Sequence, residues 1–296
     1  MYARKSIQQQ ALARYRRATL TSVAILSIVL TSACVSATQQ ENSEKTSSPV
    51  NISESATVSE EAAVKSTPTE DTSIAGRNIL KLKAQGIQIG KTQKVKGGSY
   101  PQYEVEESSH LARFNRSTYQ DDGQQEVSDA KAAKYQLAAA NYMMNFALDN
   151  PTVNDFDANK KEFSQTVARY TMPEYREELR TSVLDENTTS FANNTFDPRY
   201  YAGDNAKGFS FVTDGKTPRI ADVSGLSVIS SQPWEGGMYF EYEGTYVTNI
   251  VDKNNKAYTM DKYAKYGITL KSHKNELLME GINFIEGKYA KPVPVK

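Results

Sequence analysis

The chain has little of what most site chemistry requires. Its 296 residues include one cysteine (Cys34), two histidines (His110 and His273) and one tryptophan (Trp234). One cysteine cannot close an internal disulfide, so an exported domain built from this chain must be held by its core alone. Paired-cysteine zinc motifs, an HExxH helix and a Cys/His nucleophile pair are excluded, and no metal or cofactor site is expected. The P-loop, the GxGxxG turn and the GxSxG elbow are missing as well. Carboxylates are plentiful, but no two stand out as an acid–base pair. Glu241 and Glu243, on one face of a strand beyond Tyr239, read as a solvated face, so no catalytic residue is assigned. Neither charge sign is in excess, with 35 basic and 35 acidic residues. A neutral domain lacks the overall positive field of a nucleic-acid binder, and direct nucleic-acid binding is not expected.

Long hydrophobic runs are also scarce, with one exception. Ala18 to Ala33 is uncharged and mostly apolar and leads into Cys34. Five basic residues precede it (Arg4, Lys5, Arg14, Arg16 and Arg17) and no acidic one does. This is the order of an export signal, and the basic flank predicts that everything after Cys34 lies outside the cytoplasm. The run has 16 residues, short of the roughly 20 that span a bilayer core. Three fates are open: modification and cleavage at Cys34, ordinary cleavage after Val35-Ser36-Ala37, and retention as a single-pass anchor. The end of the run, Leu30 followed by Thr31-Ser32-Ala33-Cys34, resembles a bacterial lipoprotein box. That resemblance implies a lipid on Cys34 and a mature chain beginning there, held on the extracytoplasmic face of the cell membrane. Two acyl chains suffice for stable anchoring.

From 35 to 73 the chain is rich in Ser, Thr and Glu and has no aromatic residue. It carries seven acidic residues against Lys45 and Lys65, which balances the basic N-terminus and leaves the remainder neutral. Such a segment cannot bury enough apolar surface to offset its ordering entropy, and it is expected to be a disordered tether. A flexible chain of this length spans roughly 30–40 Å. Apolar residues return at Ile74. The stretch 74–126 is read as a small, partly irregular extension or subdomain: a short helix with Ile79, Leu80, Leu82 and Ala84, a strand at Ile87 and Ile89, an end at Gly97-Gly98 and Pro101, then a polar loop.

The region 127–296 is expected to be a separate α+β domain. Ser128 is a good N-cap, and Ala133, Leu137, Ala140, Met144 and Leu148 recur on one helical stripe, widened by Tyr135, Tyr142 and Phe146. A second helix is expected from about Ala158 to Tyr170, with Phe163 and Val167 on one face. A third is expected from Pro173, carrying Tyr175, Leu179 and Val183. After Gly208 the pattern becomes strand: 209–213, 220–230, 238–251, 257–271 and 277–285. Turns fall at Asp252–Lys256 and around Ser272–Glu276. Consecutive strands with short turns predict an antiparallel meander. Gly244 predicts a bulge or bend in the long third strand. The expected fold is N-terminal helices packed on a curved antiparallel sheet of four to five strands.

Binding candidates on that sheet are Trp234, Tyr239, Tyr242 and Tyr246, tyrosines that would line its concave face, with Trp234 at a loop end. In element order the region is similar to the cone-shaped nuclear-transport-factor-like superfamily. Ala139, Tyr142 and Phe146, then Tyr170-Thr171-Met172-Pro173-Glu174-Tyr175 and Leu179, resemble extracytoplasmic domains of Gram-positive conjugation proteins related to the type IV secretion scaffold. The resemblance implies a non-enzymatic, membrane-tethered scaffold or adaptor that binds envelope proteins and forms homo-oligomers. A ligand-binding surface lipoprotein is the competing expectation.

Overall fold

Strands carry most of the architecture. The computed structural model describes residues 73–95, 98–121, 127–149, 161, 165–177 and 207–295, all within the unit Lys65–Lys296. Cys34, the signal-like run and the tether lie outside the described residues, as do Phe163, Leu179 and Val183.

Helix α1 is Ile74–Ala84, opened by Ser73, whose hydroxyl accepts from the Gly76 N–H at 3.1 Å. Of its apolar side chains Leu82 is fully buried, while Leu80 is exposed. A left-handed Gly86 then turns the chain into strand β1, Ile87–Val95, which pairs antiparallel with β2, Gly98–Val105. Pro101 does not end this region, as its sequence context suggested. It lies inside β2 opposite Thr92, beside a register shift between Ile89 and Thr92. A two-stranded ribbon tolerates proline where the ladder is already interrupted.

Helix α2, Asp129–Tyr142, is capped by Ser128 as expected, and its last turns widen into a π-helical segment, Met143–Leu148. The buried stripe is rotated from the expected one. It runs through Ala132, Tyr135, Gln136, Ala139, Ala140 and Met143, leaving Ala133 and Leu137 at its margin. The reason is a polar residue in the core face. Gln136 donates from Nε2 to the carbonyls of Leu111 and Arg113, both at 3.0 Å, so apolarity alone misplaced the stripe. Asn141 and Asn145, one turn apart, act as side-chain peptides toward β2. They accept from the Val105 and Tyr103 N–H groups at 3.0 and 2.9 Å, and Asn145 donates back to the Tyr103 carbonyl. Two ring contacts, Tyr142 to Tyr170 at 5.8 Å and Phe146 to Tyr170 at 5.4 Å, hold the short helical stretch 165–169.

The main sheet is a curled antiparallel half-barrel in a mixed α+β unit with few helices. Its strands are β3 (Phe209–Phe211), β4 (Ile220–Trp234), β5 (Gly237–Asp252), β6 (Ala257–His273), β7 (Glu276–Tyr289) and β8 (Val293–Pro294). The meander β4–β5–β6–β7 is the expected one. Two short strands bring the sheet to six: β3 continues the row of β4 along β5, and β8 continues the row of β7 along β6. Period-two burial decides the faces. Met238, Phe240, Tyr242 and Tyr246 of β5 and Ala264, Tyr266, Ile268 and Leu270 of β6 point inward. Leu82, Ile87, Tyr103, Val105 and Leu111 belong to the same core as Tyr135, Met143, Leu226, Tyr242 and Ile268, so the described residues of 74–121 share the interior of the sheet domain. The expected irregularity at Gly244 falls on the neighbouring strand: the β4–β5 register shifts between Asp222 and Gly225. Gly244 has φ +141°, and a Cβ there would meet the Gly225 carbonyl oxygen at 2.0 Å.

Candidate functional site

One end of the core is ionic. Asp149 closes the π-helical segment, Arg219 immediately precedes β4, and Lys262 lies on the inner face of β6. Arg219 Nη2 lies 2.5 Å from Asp149 Oδ1, with both side chains essentially without solvent. The guanidinium also stacks on Tyr100 of β2, its Cζ 3.4 Å from the ring centre. The backbone of Arg219 is pinned by Asn249 of β5. The Asn249 N–H donates to the Arg219 carbonyl at 2.8 Å, and its Nδ2 donates to the Pro218 carbonyl at 2.6 Å. The Tyr103 hydroxyl accepts from the Ile220 N–H at 2.9 Å and interacts with the Asp149 carboxyl.

Lys262 is the third charge. Register sets it between Tyr246 of β5 and Tyr289 of β7. Its Nζ lies 4.3 Å from the centre of the Phe211 ring and 5.1 Å from that of Tyr289. Among the described residues it has no ion pair or hydrogen bond of its own. The electrostatics follow from burial. Desolvation lowers the Lys262 pKa to about 7, with Asp149 opposing that fall and Arg219 adding to it. Desolvation also raises the Asp149 carboxyl, with Arg219 pulling it back, and raises the Tyr103 and Tyr246 hydroxyls well above the usual phenol range. The site therefore sets one buried guanidinium and one buried amine, whose charge burial disfavours, against one buried carboxylate. Burying each ion costs several kcal/mol before pairing.

The four binding candidates do not form one surface. Trp234 is half-buried at the end of β4, before the Glu235-Gly236 turn. Tyr242 is fully buried, its hydroxyl 3.4 Å from the carbonyls of Leu111 and Gln136. Tyr246 is buried beside Lys262 and joins the ionic cluster. Tyr239 faces outward and donates to Glu241 Oε2 at 3.1 Å. That outer face is an ordered array. Lys265 bridges Glu241 and Glu243 at 2.7 and 3.0 Å, and Tyr263 donates to Glu243 at 2.6 Å. Lys271 pairs with Glu280 at 2.6 Å, to which Tyr175 also donates at 3.2 Å. Partial burial disfavours the Lys265 charge, but its bonds to Glu241 and Glu243 outweigh this and raise its pKa. The bonds from Tyr263 and Lys265 hold Glu243 below its ordinary value.

Asp149, Arg219 and Lys262 carried no weight in the sequence reading. Lys262 did leave a signal: it occupies an inward position in the alternation Met260, Lys262, Ala264, Tyr266, Ile268. Asp149 and Arg219 left none, because each sits beside a proline-containing boundary that reads as loop. His110 is a strand-edge staple, its Nε2 at 3.1 and 3.0 Å from the Val223 and Leu226 carbonyls. Among the described residues no cluster of three or more His, Cys, Asp or Glu could hold a metal ion. Among them, too, no helix is long and apolar enough to cross a membrane. No family model, curated protein or solved structure matches the chain.

Proposed function

We propose that this chain is a non-enzymatic binding module tethered to the extracytoplasmic face of the cell membrane, displaying its α+β domain to envelope proteins. The observation that carries the reading is the contrast between the two faces of the sheet. The inner tyrosines Tyr242 and Tyr246 are packed into the core. The outer face holds Tyr239, Tyr263 and Tyr175 in fixed hydrogen bonds to Glu241, Glu243 and Glu280. Tyrosines held rigid at a surface offer contact area at low entropic cost, which is why they are enriched at protein interfaces. The ligand-binding alternative loses two of its four lining residues to the core. The basic, apolar and Cys34 order of the N-terminus supports the tether, with a lipid on Cys34 or an uncleaved anchor as the membrane attachment. The likeness to conjugation proteins extends the proposal to a cone-like domain in a DNA-transfer or secretion complex, with self-association as part of that role.

The test has two arms. Intact mass of membrane-extracted wild type and Cys34→Ala should show a lipid increment on a chain starting at Cys34, lost in the variant. A chain starting at Thr38, released from the membrane, overturns the tether. Cross-linking in cells should then recover envelope proteins with the wild type and lose them with Tyr239→Ala/Tyr263→Ala. An unchanged set of cross-linked partners would sink the outer-face assignment.

A further inference from the structure

Most strand edges of this domain are closed. Along β4, Gln85 accepts from the Val223 N–H, His110 meets the Val223 and Leu226 carbonyls, and the Gln120 N–H donates to the Ser231 carbonyl. Along β2, Asn141 and Asn145 take the place of a neighbouring strand. The first part of β7 is paired through Met279, which donates to the Tyr170 carbonyl and accepts from the Met172 N–H, both at 2.8 Å. Past Tyr289 the row runs on through Pro292 and Pro294, which have no N–H to offer. Between these stops lies 285–288, whose main chain has β6 as its one pairing neighbour among the described residues. A strand edge in this state is a template for another strand. The outer edge of β1 also pairs with no strand among the described residues, but it carries exposed Lys91 and Lys94, charges of one sign that hold two copies apart.

We propose that this stretch of β7 pairs antiparallel with the same stretch of a second copy of the chain, about a two-fold axis through Gly287. The sequence here, Ile285-Glu286-Gly287-Lys288-Tyr289, is complementary to itself when reversed. The axis sets Gly287 against its own copy, Glu286 against Lys288 of the second copy, Lys288 against its Glu286, and an apolar residue against an apolar one at each end. Register with β6 puts Glu286 opposite Lys265 and Lys288 opposite Tyr263, so both charged side chains stand on the outer face. They already pair within the strand at 3.2 Å, with Lys288 78% and Glu286 50% exposed. Bringing two copies together closes a ring of four alternating charges, in which each carboxylate lies between two ammonium groups. Opposite charges directly across a strand pair stabilise it, and like charges do the reverse. A shift of the partner strand by two residues sets Glu286 or Lys288 against itself, so charge selects one register. The contact is isologous and closed, giving a dimer and not a fibre. The proposal rests on the self-association part of the reading above, and needs neither the membrane tether nor the envelope partners.

The experiment is sedimentation velocity of the full-length protein in a neutral detergent at low salt, over a series of concentrations. The wild type should form dimers, and added salt should weaken them. Glu286→Lys and Lys288→Glu each set like charges across the axis and should weaken dimerisation roughly tenfold. Mixing the two single variants should restore a dimer containing one of each, and the double variant Glu286→Lys/Lys288→Glu should dimerise like the wild type. Both side chains are at the surface, so the variants should melt with the wild type, which checks that the fold is kept. A wild type that stays monomeric overturns this proposal and self-association together, while the tether stands. Dimers that ignore the single reversals, or that neither the mixture nor the double variant restores, overturn the β7 edge while self-association stands.

Discussion

Asp149→Asn removes one charge from the ionic end of the core while keeping the shape of the side chain. Arg219 stays fully buried and cannot deprotonate. Lys262 sheds its proton more readily once Asp149 no longer supports its charge, so the substitution chiefly leaves a buried guanidinium without a carboxylate. Breaking a buried pair from one side costs about 3–5 kcal/mol, a large share of the roughly 5–15 kcal/mol that holds a domain folded. The reverse substitution, Arg219→Met, should be milder in acid. The Asp149 carboxyl already has a raised pKa and can neutralise itself by taking a proton, so the cost should shrink as pH falls toward 5. The double variant should lose less than the two single losses together, because each single change strands an ion and the double strands none. Urea unfolding of all four proteins at pH 7 and pH 5 measures this, with an unchanged denaturant slope as the check that the unfolded states are alike. A loss under about 1 kcal/mol for Asp149→Asn, or additive losses in the cycle, would refute the account of the pair as a buried, mutually dependent unit.

Two further outcomes follow from the same structure. Lys262→Met should change the pH dependence of stability. The folded pKa of Lys262 lies below its unfolded value, so burial costs most below about pH 7 and nothing above about pH 10.5. The stability of the wild type relative to the variant should therefore rise by about 2–3 kcal/mol between pH 6 and pH 9; a flat difference across that range in thermal or urea unfolding contradicts the burial of the amine. Gly244→Ala should cost about 2–4 kcal/mol in unfolding free energy, from a left-handed backbone and a Cβ driven into the Gly225 carbonyl. A wild-type melting curve for that variant would mean that β4 and β5 can separate there.

The strands from Ile220 to Tyr289 were legible because their residues alternate and their turns carry the residues that turns require. Asn255, Lys274 and Asn275 adopt positive φ at the two hairpins. The α2 cap was equally legible, since Ser128 acts within three residues of itself. What failed was whatever depended on a distant partner. Gln136 reads as a surface residue until Leu111 and Arg113 arrive with carbonyls 25 and 23 residues away in the chain. Pro101 reads as a stop until its ribbon proves to be only two strands wide. The tyrosines of β5 read as one lining, but period two sends Tyr239 outward and Tyr242 and Tyr246 into the core.

By itself, the sequence determined the antiparallel meander, the capped helix and the order of basic, apolar and polar segments at the N-terminus. These follow from local propensity and from periods of 2 and 3.6, which need no tertiary information. Only the tertiary structure decided that 74–121 joins the main core and that Asp149, Arg219 and Lys262 share one buried site. Those three residues are separated by 70 and 43 positions, and no local rule relates charges that far apart. Their environment is created by the side chains that enclose them, which a linear pattern cannot specify.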